Sequence, residues 1–566
     1  MTPLLVIIIL VVGGLVGLVV QTASSRRRLA ARLRAEWGRA PATFHPLDER
    51  AAEAWRELGA GKGGDAALDD RTWADLDLDR VVATIDRTES GLGRQILYRR
   101  LRAGMAWGDT PTLAELSNRF AEDSALRDSI GLHLAAAGRS LGYGFWIITR
   151  PELIRTRWWY WSFPLLAGGM LVSLAAIPFE PRAAIVALLL VVGNMAARMA
   201  TAWQIPGVLA PMRQMEPVIL TAERLADALG DRAEADFPVS DHVRRLRPLR
   251  RIARWVSRDP RAGGELMATV WEYFNLLFVL DANALLFSAR HLRELGPVLA
   301  RVAGWVGDVD LARSVASLRA EPRPWCRPRW VDRPRTAAEG VWHPLVTEPV
   351  ANDAELRAGG GIIITGANMS GKSTYLRTIG VAAVLARTLE TCPARSWEGR
   401  SFRVRSLIGR NDDLAAGKSY YQVEADGVVA LLHAAASDRP TLFLLDELLR
   451  GTNTVERLAA GEAVLRSLLA GHAGHSPHVV VVATHDGELV QLLEGLYQPF
   501  HFRETIAAGG LTFDYLRREG PASTRTAIAL LEATGAPREV IDAARARAAA
   551  LDGGDPPTLR ASEPGS

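Results

Sequence analysis

The sequence predicts an α/β domain with a largely parallel sheet in its C-terminal part, preceded by an all-α region that apolar spans interrupt. Three observations carry this. Apolar residues recur at helical spacing through residues 75–150 and 205–320. From about residue 340 short β-branched runs appear, apolar throughout, as strands buried on both faces require. Three longer apolar runs lie within the first 200 residues. A chain of 566 residues is too long for one compact domain, and 48% hydrophobic with 23% charged residues describes one that folds. The net charge of +4 gives no argument for a nucleic-acid partner by itself.

The first apolar run, residues 4–20, is followed by Arg26, Arg27 and Arg28 and by no small-residue cleavage site, which predicts an uncleaved anchor. Runs at 158–179 and 183–197 flank the polar turn Pro178-Phe179-Glu180-Pro181-Arg182. Trp158, Trp159, Tyr160 and Trp161 open the second run as an aromatic belt would, and Arg155, Arg157 and Arg198 bracket the pair. The pair reads as a membrane hairpin, with a buried helix pair of a soluble domain as the alternative. The positive-inside rule puts Met1 and Glu180 outside and the bulk of the chain in the cytoplasm, at an inner (cytoplasmic) membrane crossed several times.

In order, the predicted segments are an anchor (1–30), a first helical part (31–154), the hairpin (155–200), a second helical part (201–335), the α/β domain (336–550) and a polar tail (551–566) expected to be disordered. Helical spacing shows in Leu78, Val81, Val82, Ile85, then Leu92, Ile96, Leu97, Leu101, later Ile219, Leu220, Leu225, Leu229, and Trp271, Phe274, Leu277, Leu280. Four prolines within 321–335 mark the boundary before the α/β domain. Its predicted strands are 361–365, 441–445 and 479–483.

The 67 basic residues include three lysines, Lys62, Lys372 and Lys418. Arginine-rich coding accounts for the bias, yet a lysine kept in such a chain marks a place for a compact ammonium. The two cysteines, Cys326 and Cys392, lie far apart without metal-ligand spacing, which fits a reducing compartment and argues against a disulfide framework.

Gly366-Ala367-Asn368-Met369-Ser370-Gly371-Lys372-Ser373 fits G-x-x-x-x-G-K-[ST], after the strand ending at Thr365 and before a helix beginning near Thr374. Its glycines let backbone N–H groups close on phosphate oxygens, Lys372 can reach β- and γ-phosphates, and Ser373 can ligate Mg²⁺. The run Thr441–Leu445 ends in Asp446 and Glu447, read as a Mg²⁺ carboxylate and as the carboxylate that orients or deprotonates the attacking water. His485, just past the strand ending at Ala483, is placed to sense the γ-phosphate. The alternatives are helix-capping acids and a structural histidine.

Asn368 through Arg377 resembles the P-loop of the MutS family. So do Asp446-Glu447-Leu448-Leu449-Arg450-Gly451-Thr452-Asn453-Thr454 for its D-E-x-x-R-G-T-x-T segment, Ile408 through Ser419 for its G-x-x-D-D-L-x-x-G-x-S stretch, and Ala483-Thr484-His485 for its A-T-H. The resemblance implies an ABC-type P-loop ATPase domain behind a helical core and lever, using ATP and Mg²⁺, with a site completed across a homodimer. Ser419, with Lys418 beside it, would then contact the γ-phosphate bound to a second copy, and His501 would lie near the nucleotide. Where the family places an aromatic residue on adenine, the best match is Val350. Asp86-Arg87-Thr88 with Gly91-Leu92-Gly93-Arg94 is similar to the start of the helical core, and 205–320 to its returning lever. The family's mismatch-reading F-x-E wedge has no counterpart, so mismatch-specific reading is not expected.

The basic run from Arg244 to Arg254 has three readings: a DNA phosphate contact, an anionic-lipid contact, or a solvated helix face. Function divides accordingly. A membrane-tethered DNA-binding ATPase related to mismatch repair and recombination stands first. An ATP-switched membrane scaffold or signalling protein without DNA is the alternative. A transporter half is weakest, because the spans hold only isolated polar groups such as Ser173 and Asn194.

Overall fold

The computed structural model describes residues 3–41, 52–53, 55–56, 67–105, 111–138, 141–150, 156–201, 205–231, 237–256, 265–367, 370–409, 420–449, 452–470, 476–507, 510–521, 528, 531–532 and 535–552. They form two compact units, one of residues 1–67, 79–325 and 388–390, the other of residues 68–78, 326–387 and 391–566.

The first unit is helical. Its spine is Leu280–Arg319, whose second half is buried almost throughout because helices pack around it. Glycines let the helix Gly91–Ala103 approach closely: a Cβ at Gly307 would sit 2.9 Å from the Leu92 carbonyl, and one at Gly93 would collide with the Asp310 carboxylate. Asp310 accepts hydrogen bonds from the Glu89 and Ser90 amides (3.1 and 2.7 Å) and from the Ser90 hydroxyl (2.6 Å), while that hydroxyl accepts from the Gly93 amide. The spine thus holds the N-terminus of the neighbouring helix, whose amides have no intrahelical acceptor.

Pro3–Glu36 is one helix, anchored at its C-terminal end by Arg32 on Glu89 and Arg34 on Asp128. Ser162–Ala176, continuing a short 3₁₀ turn at Trp158–Trp161, and Ala183–Thr201 form an antiparallel hairpin. The Ser173 hydroxyl donates to the Ala183 carbonyl across its turn (3.0 Å). Trp158–Ala176 and Ala183–Thr201 are each long and apolar enough to cross a membrane. The basic run is a helix pair, Val239–Arg245 and Arg247–Val256, burying Leu246, Leu249 and Ala253. Arg244 pairs with Asp241 and Arg250 with Glu223, while Arg245, Arg247 and Arg251 are exposed.

One helical expectation is corrected. Trp271, Phe274, Leu277 and Leu280, read as one helical stretch, fall on two helices. The helix Glu265–Phe278 ends at Val279, which adopts φ 47°, and the spine departs at 66°. Phe274 is left exposed.

The second unit holds two sheets. Strands β1 (Arg329–Trp330), β2 (Arg335–Val341), β3 (Asn352–Arg357) and β5 (Ser396–Gly399) form a sheet of order β1-β5-β2-β3. The other has order β10-β9-β4-β8-β7-β6, with β4 Gly360–Thr365, β6 Arg403–Leu407, β7 Thr441–Asp446, β8 Val479–Ala483, β9 Tyr497–Ala507 and β10 Gly510–Glu519. All its pairings are parallel except β9–β10. The three strands expected from sequence are β4, β8 and β7, adjacent at its centre.

The sequence segmentation placed residues 68–78 in the helical core, whereas they belong to this second unit. Asp75 is the reason. Its carboxylate accepts from the Ser406 hydroxyl (2.7 Å) and from the Ile408 and Gly409 amides (2.9 and 2.7 Å), closing the end of β6. The Thr72 hydroxyl accepts from the Ser406 amide (3.0 Å), and Arg71 donates to the Val423 carbonyl (3.0 Å). Cys326 and Cys392, remote in sequence, pair through reciprocal backbone hydrogen bonds as free thiols with sulfurs 3.2 Å apart.

Candidate active site

Parallel strands end together, and their C-terminal ends leave a crevice. Asp446 of β7 lies level with Ala483 of β8, which lies level with Ile364 of β4. The loop leaving β4 carries Gly366 at φ 138° and Gly371 at φ 108°, conformations that exclude a β-carbon. It feeds the helix Lys372–Leu389, whose first residues, Lys372, Ser373 and Thr374, border the crevice.

Lys372 is 5% exposed, and its ammonium donates to the Gly366 and Ala367 carbonyls (2.6 and 2.8 Å). The Ser373 hydroxyl donates to Asp446 Oδ2 at 2.5 Å. A hydroxyl and a carboxylate at that spacing are hard oxygen donors suited to Mg²⁺, which takes one or two protein ligands and completes its shell with phosphate and water. Both border a cavity of about 500 Å³, together with Lys372 and Glu447.

Glu447 is buried and left-handed at φ 55°, as is Leu449 at φ 54°. Residues with side chains in that region cost about 1–3 kcal/mol each and need surrounding contacts to persist. The Glu447 amide donates to the Ala483 carbonyl (2.9 Å), and the Leu449 amide to Glu424 Oε1 (2.6 Å). Leu448 and Leu449 are buried in the core behind the sheet. Burial raises the Glu424 carboxyl above its ordinary pKa, and the Leu449 amide opposes that rise. His485 is half exposed, its Nδ1 3.3 Å from Glu447 Oε1. The adjoining Asp486 is gripped by both arms of Arg457 (3.1 and 2.8 Å).

The far wall comes from the loop between β2 and β3 and from the β9–β10 hairpin. Val350 borders the cavity as an aliphatic surface. Opposite the loop stands Tyr515, in a bulge that shifts the β9–β10 register between Phe513 and Arg517. Asn352 holds the bulge by donating to the Tyr515 carbonyl (2.9 Å) and accepting from the Arg517 amide (2.8 Å). Tyr515 is left-handed (φ 55°), and its ring lies so close to Gly371 that a Cβ there would approach it to 3.2 Å. Beneath, the Tyr375 hydroxyl donates to the Asp353 carbonyl, and burial pushes its pKa up to about 12.

Of the residues singled out from sequence, the structure brings together Gly366, Ala367, Ser370, Gly371, Lys372, Ser373, Thr374, Asp446, Glu447 and, through Glu447, His485. Asn368, Met369, Lys418 and Ser419 lie outside the described residues. His501 pairs in register with Thr365, but its ring is 2.9 Å from the Gly520 carbonyl and does not border the cavity. Sequence reasoning missed Asp75, Glu424, Asn352 and Tyr515. The sequence offered no signal for them; the glycine at 409 has its reason only in the structure, where a Cβ would meet Asp75 Oδ1 at 2.5 Å.

Residues 362–552 match the family model described as MutS domain V. That domain is a P-loop ATPase fold, and the match makes this part of the chain MutS-like.

Proposed function

We propose that the chain is a MutS-like ATPase held at a membrane, binding ATP with Mg²⁺ at the β4–β7 crevice and working as a homodimer. The observation that carries this reading is the convergence of Lys372, Ser373, Asp446 and Glu447 on one cavity at the ends of two parallel strands. Backbone amides of the Gly366–Gly371 loop and the helix N-terminus receive phosphate oxygens. Lys372 leaves its loop carbonyls for the β- and γ-phosphates. Ser373 and Asp446 hold Mg²⁺, which when bound neutralises developing phosphate charge. Glu447 orients the attacking water and accepts its proton, with His485 steadying that carboxylate and sensing the γ-phosphate. Ser419 and Lys418 of a second copy complete the site, and His501 lies at its edge.

Two observations support the membrane part. The hairpin exposes Leu165, Leu188 and Leu189 at 75%, 66% and 65%, an apolar surface that water disfavours and lipid does not. The arginines that bracket the hairpin support, by the positive-inside rule, a cytoplasmic position for the rest of the chain. The exposed Arg245, Arg247 and Arg251 favour DNA phosphate as the partner of the helical unit. An ATP-switched scaffold without DNA is the second reading, favoured by the ion pairs that already engage Arg244 and Arg250.

The test is ATP hydrolysis and DNA binding by the detergent-solubilised full chain over a salt series. Hydrolysis abolished by Lys372→Ala, with salt-dependent binding modulated by ATP, supports the first reading. Hydrolysis without DNA binding at low salt leaves the scaffold. No hydrolysis by the wild-type chain overturns both. Loss of the chain from membranes on alkaline extraction overturns the anchoring.

A further inference from the structure

The helix Glu265–Phe278 has 14 residues. At 1.5 Å per residue it is about 21 Å long, too short for a hydrocarbon core of about 30 Å. It packs against both helices of the hairpin. Its neighbours fix its depth. Glu272 pairs with Arg198 (3.0 Å) near the returning end of the hairpin. Five residues further on, the Leu277 carbonyl accepts from the Asn194 side chain (2.6 Å), and Asn194 lies one turn further into the hairpin helix than Arg198. The tip therefore points away from the charged end and into the apolar part of the pair.

The break after it is built for a place without water. Ending a helix frees backbone groups that solvent normally satisfies, and in hydrocarbon the protein must do so itself. Asn194 serves the Leu277 carbonyl, and Asn283 donates to the carbonyls of Phe278 (3.1 Å) and Val279 (3.2 Å). Asn275 accepts from the Asp281 amide (3.0 Å) and donates to the Asp281 carboxylate (2.7 Å). Asn194 is completely buried and Asn275 nearly so. Three asparagine side chains thus serve the broken backbone of one turn, while the Asn194 and Asn283 side-chain oxygens have no partner among the described residues.

On its outer side the helix shows Val270, Tyr273 and Phe274, exposed at 40%, 64% and 51% and spaced at i, i+3 and i+4. This stripe belongs to an element packed on a hairpin that itself exposes Val192, Met195 and Met199.

We propose that Glu265–Phe278 is a half-span that enters the cytoplasmic leaflet beside the returning hairpin helix and lays Val270, Tyr273 and Phe274 against lipid acyl chains. The proposal rests on the membrane reading of the hairpin. The spine Leu280–Arg319 then starts inside the leaflet, so its first turns are seated by lipid as well as by protein.

The experiment uses the full chain in nanodiscs of phosphatidylcholine and phosphatidylglycerol, with Cys326 and Cys392 replaced by serine and retained ATP hydrolysis as the check on folding. An environment-sensitive fluorophore is attached through Phe274→Cys, through Val192→Cys in the hairpin, or through Glu294→Cys on the exposed side of the spine. If Phe274→Cys fails to fold, Tyr273→Cys replaces it. Lipids brominated on their acyl chains should quench the labels at 274 and 192 several-fold more than that at 294, and a charged maleimide should react slowly at 274. Quenching at 192 but not at 274 overturns the half-span and leaves the membrane reading standing. A position 274 shielded from maleimide yet unquenched also overturns it, because protein then covers the stripe. Quenching at neither position overturns both.

Discussion

Asp75 lies far in sequence from every motif of the α/β domain, yet its removal should be felt at the end of β6. Asp75→Ala withdraws the acceptor for the Ile408 amide, which is buried, for the Ser406 hydroxyl, and for the Gly409 amide, which is exposed. The hydroxyl can rotate to another acceptor and water can reach Gly409, so the buried Ile408 amide sets the cost. An orphaned buried donor costs about 1–3 kcal/mol, and losing a charged acceptor puts this case in the upper half. Asp75→Asn should cost only about 1 kcal/mol. Its amide oxygen can keep Ile408 and Ser406 while its NH₂ turns toward the solvent-reached Gly409. Hydrogen exchange of the full chain reads this directly, because about 2–3 kcal/mol corresponds to roughly 30- to 150-fold faster opening at residues 406–409. Asp75 does not border the cavity, so affinity for ATP should hold while turnover falls, since the segment it closes leads into 410–419. Unchanged exchange in Asp75→Ala would refute the assigned contacts. Affinity falling in parallel with turnover would refute the separation of this anchor from the phosphate site.

The other expectations are shorter. Glu447→Gln should lower the rate of hydrolysis by about 10²–10⁴-fold while ATP stays bound and the dimer persists, measured by single-turnover kinetics and sedimentation. Tyr515 borders the cavity across from Val350; with the base laid on its ring, Tyr515→Ala should weaken ATP about 1–3 kcal/mol yet leave inorganic tripolyphosphate binding unchanged, with Tyr515→Phe restoring affinity; calorimetry decides. Glu424 has its pKa raised by burial, and its Oε2 has no hydrogen-bond partner among the described residues. Between the ordinary and the raised pKa the folded state binds more protons than the unfolded state, so the stability contributed is full below the ordinary glutamate pKa and is lost as pH rises through the raised value. Glu424→Gln should flatten that slope in thermal unfolding, whereas Glu424→Ala should cost about 1–3 kcal/mol at any pH by orphaning the Leu449 amide. Asp310→Asn should lower the Tm of the helical unit, because the Glu89 and Ser90 amides bond different carboxylate oxygens, and the asparagine NH₂ would set a donor against one of them.

How much was legible followed the physics of burial. β4, β7 and β8 stood out because strands buried on both faces admit little but β-branched and aliphatic residues, and the phosphate loop because its glycines and lysine are fixed by chemistry. β9 and β10 were not seen. They carry the adjacent charged pairs Arg503-Glu504 and Arg517-Arg518 among apolar residues, on the last two strands at one side of the sheet, and so lack the clean alternation or apolar run that marks a strand. The break at Val279 was hidden for a related reason. The spacing Trp271, Phe274, Leu277, Leu280 satisfies a helix whether its apolar face meets protein or lipid, so period cannot say which surface is the core. Asp75 and Glu424 were beyond any local signal, because each acts on backbone amides brought to it by folding.

Those two carboxylates also show how the site is organised. Glu447 owes its position to a turn with two left-handed residues, a conformation disfavoured in isolation, so whatever secures that turn governs the aim of its carboxylate. Its supports come from different directions: the Ala483 carbonyl of β8 behind it, and Glu424 on the helix Tyr420–Ala435 beside it. That helix begins at the residue after Ser419, and Asp75 secures the chain on the other side of the same segment, at Gly409. On the proposed reading, Ser419 meets the γ-phosphate of a second copy. The residue that detects the partner's nucleotide is then separated from the turn that aims Glu447 by five residues and one hydrogen bond. Dimer closure and water activation would be coupled through that short path, without a change in the phosphate loop itself.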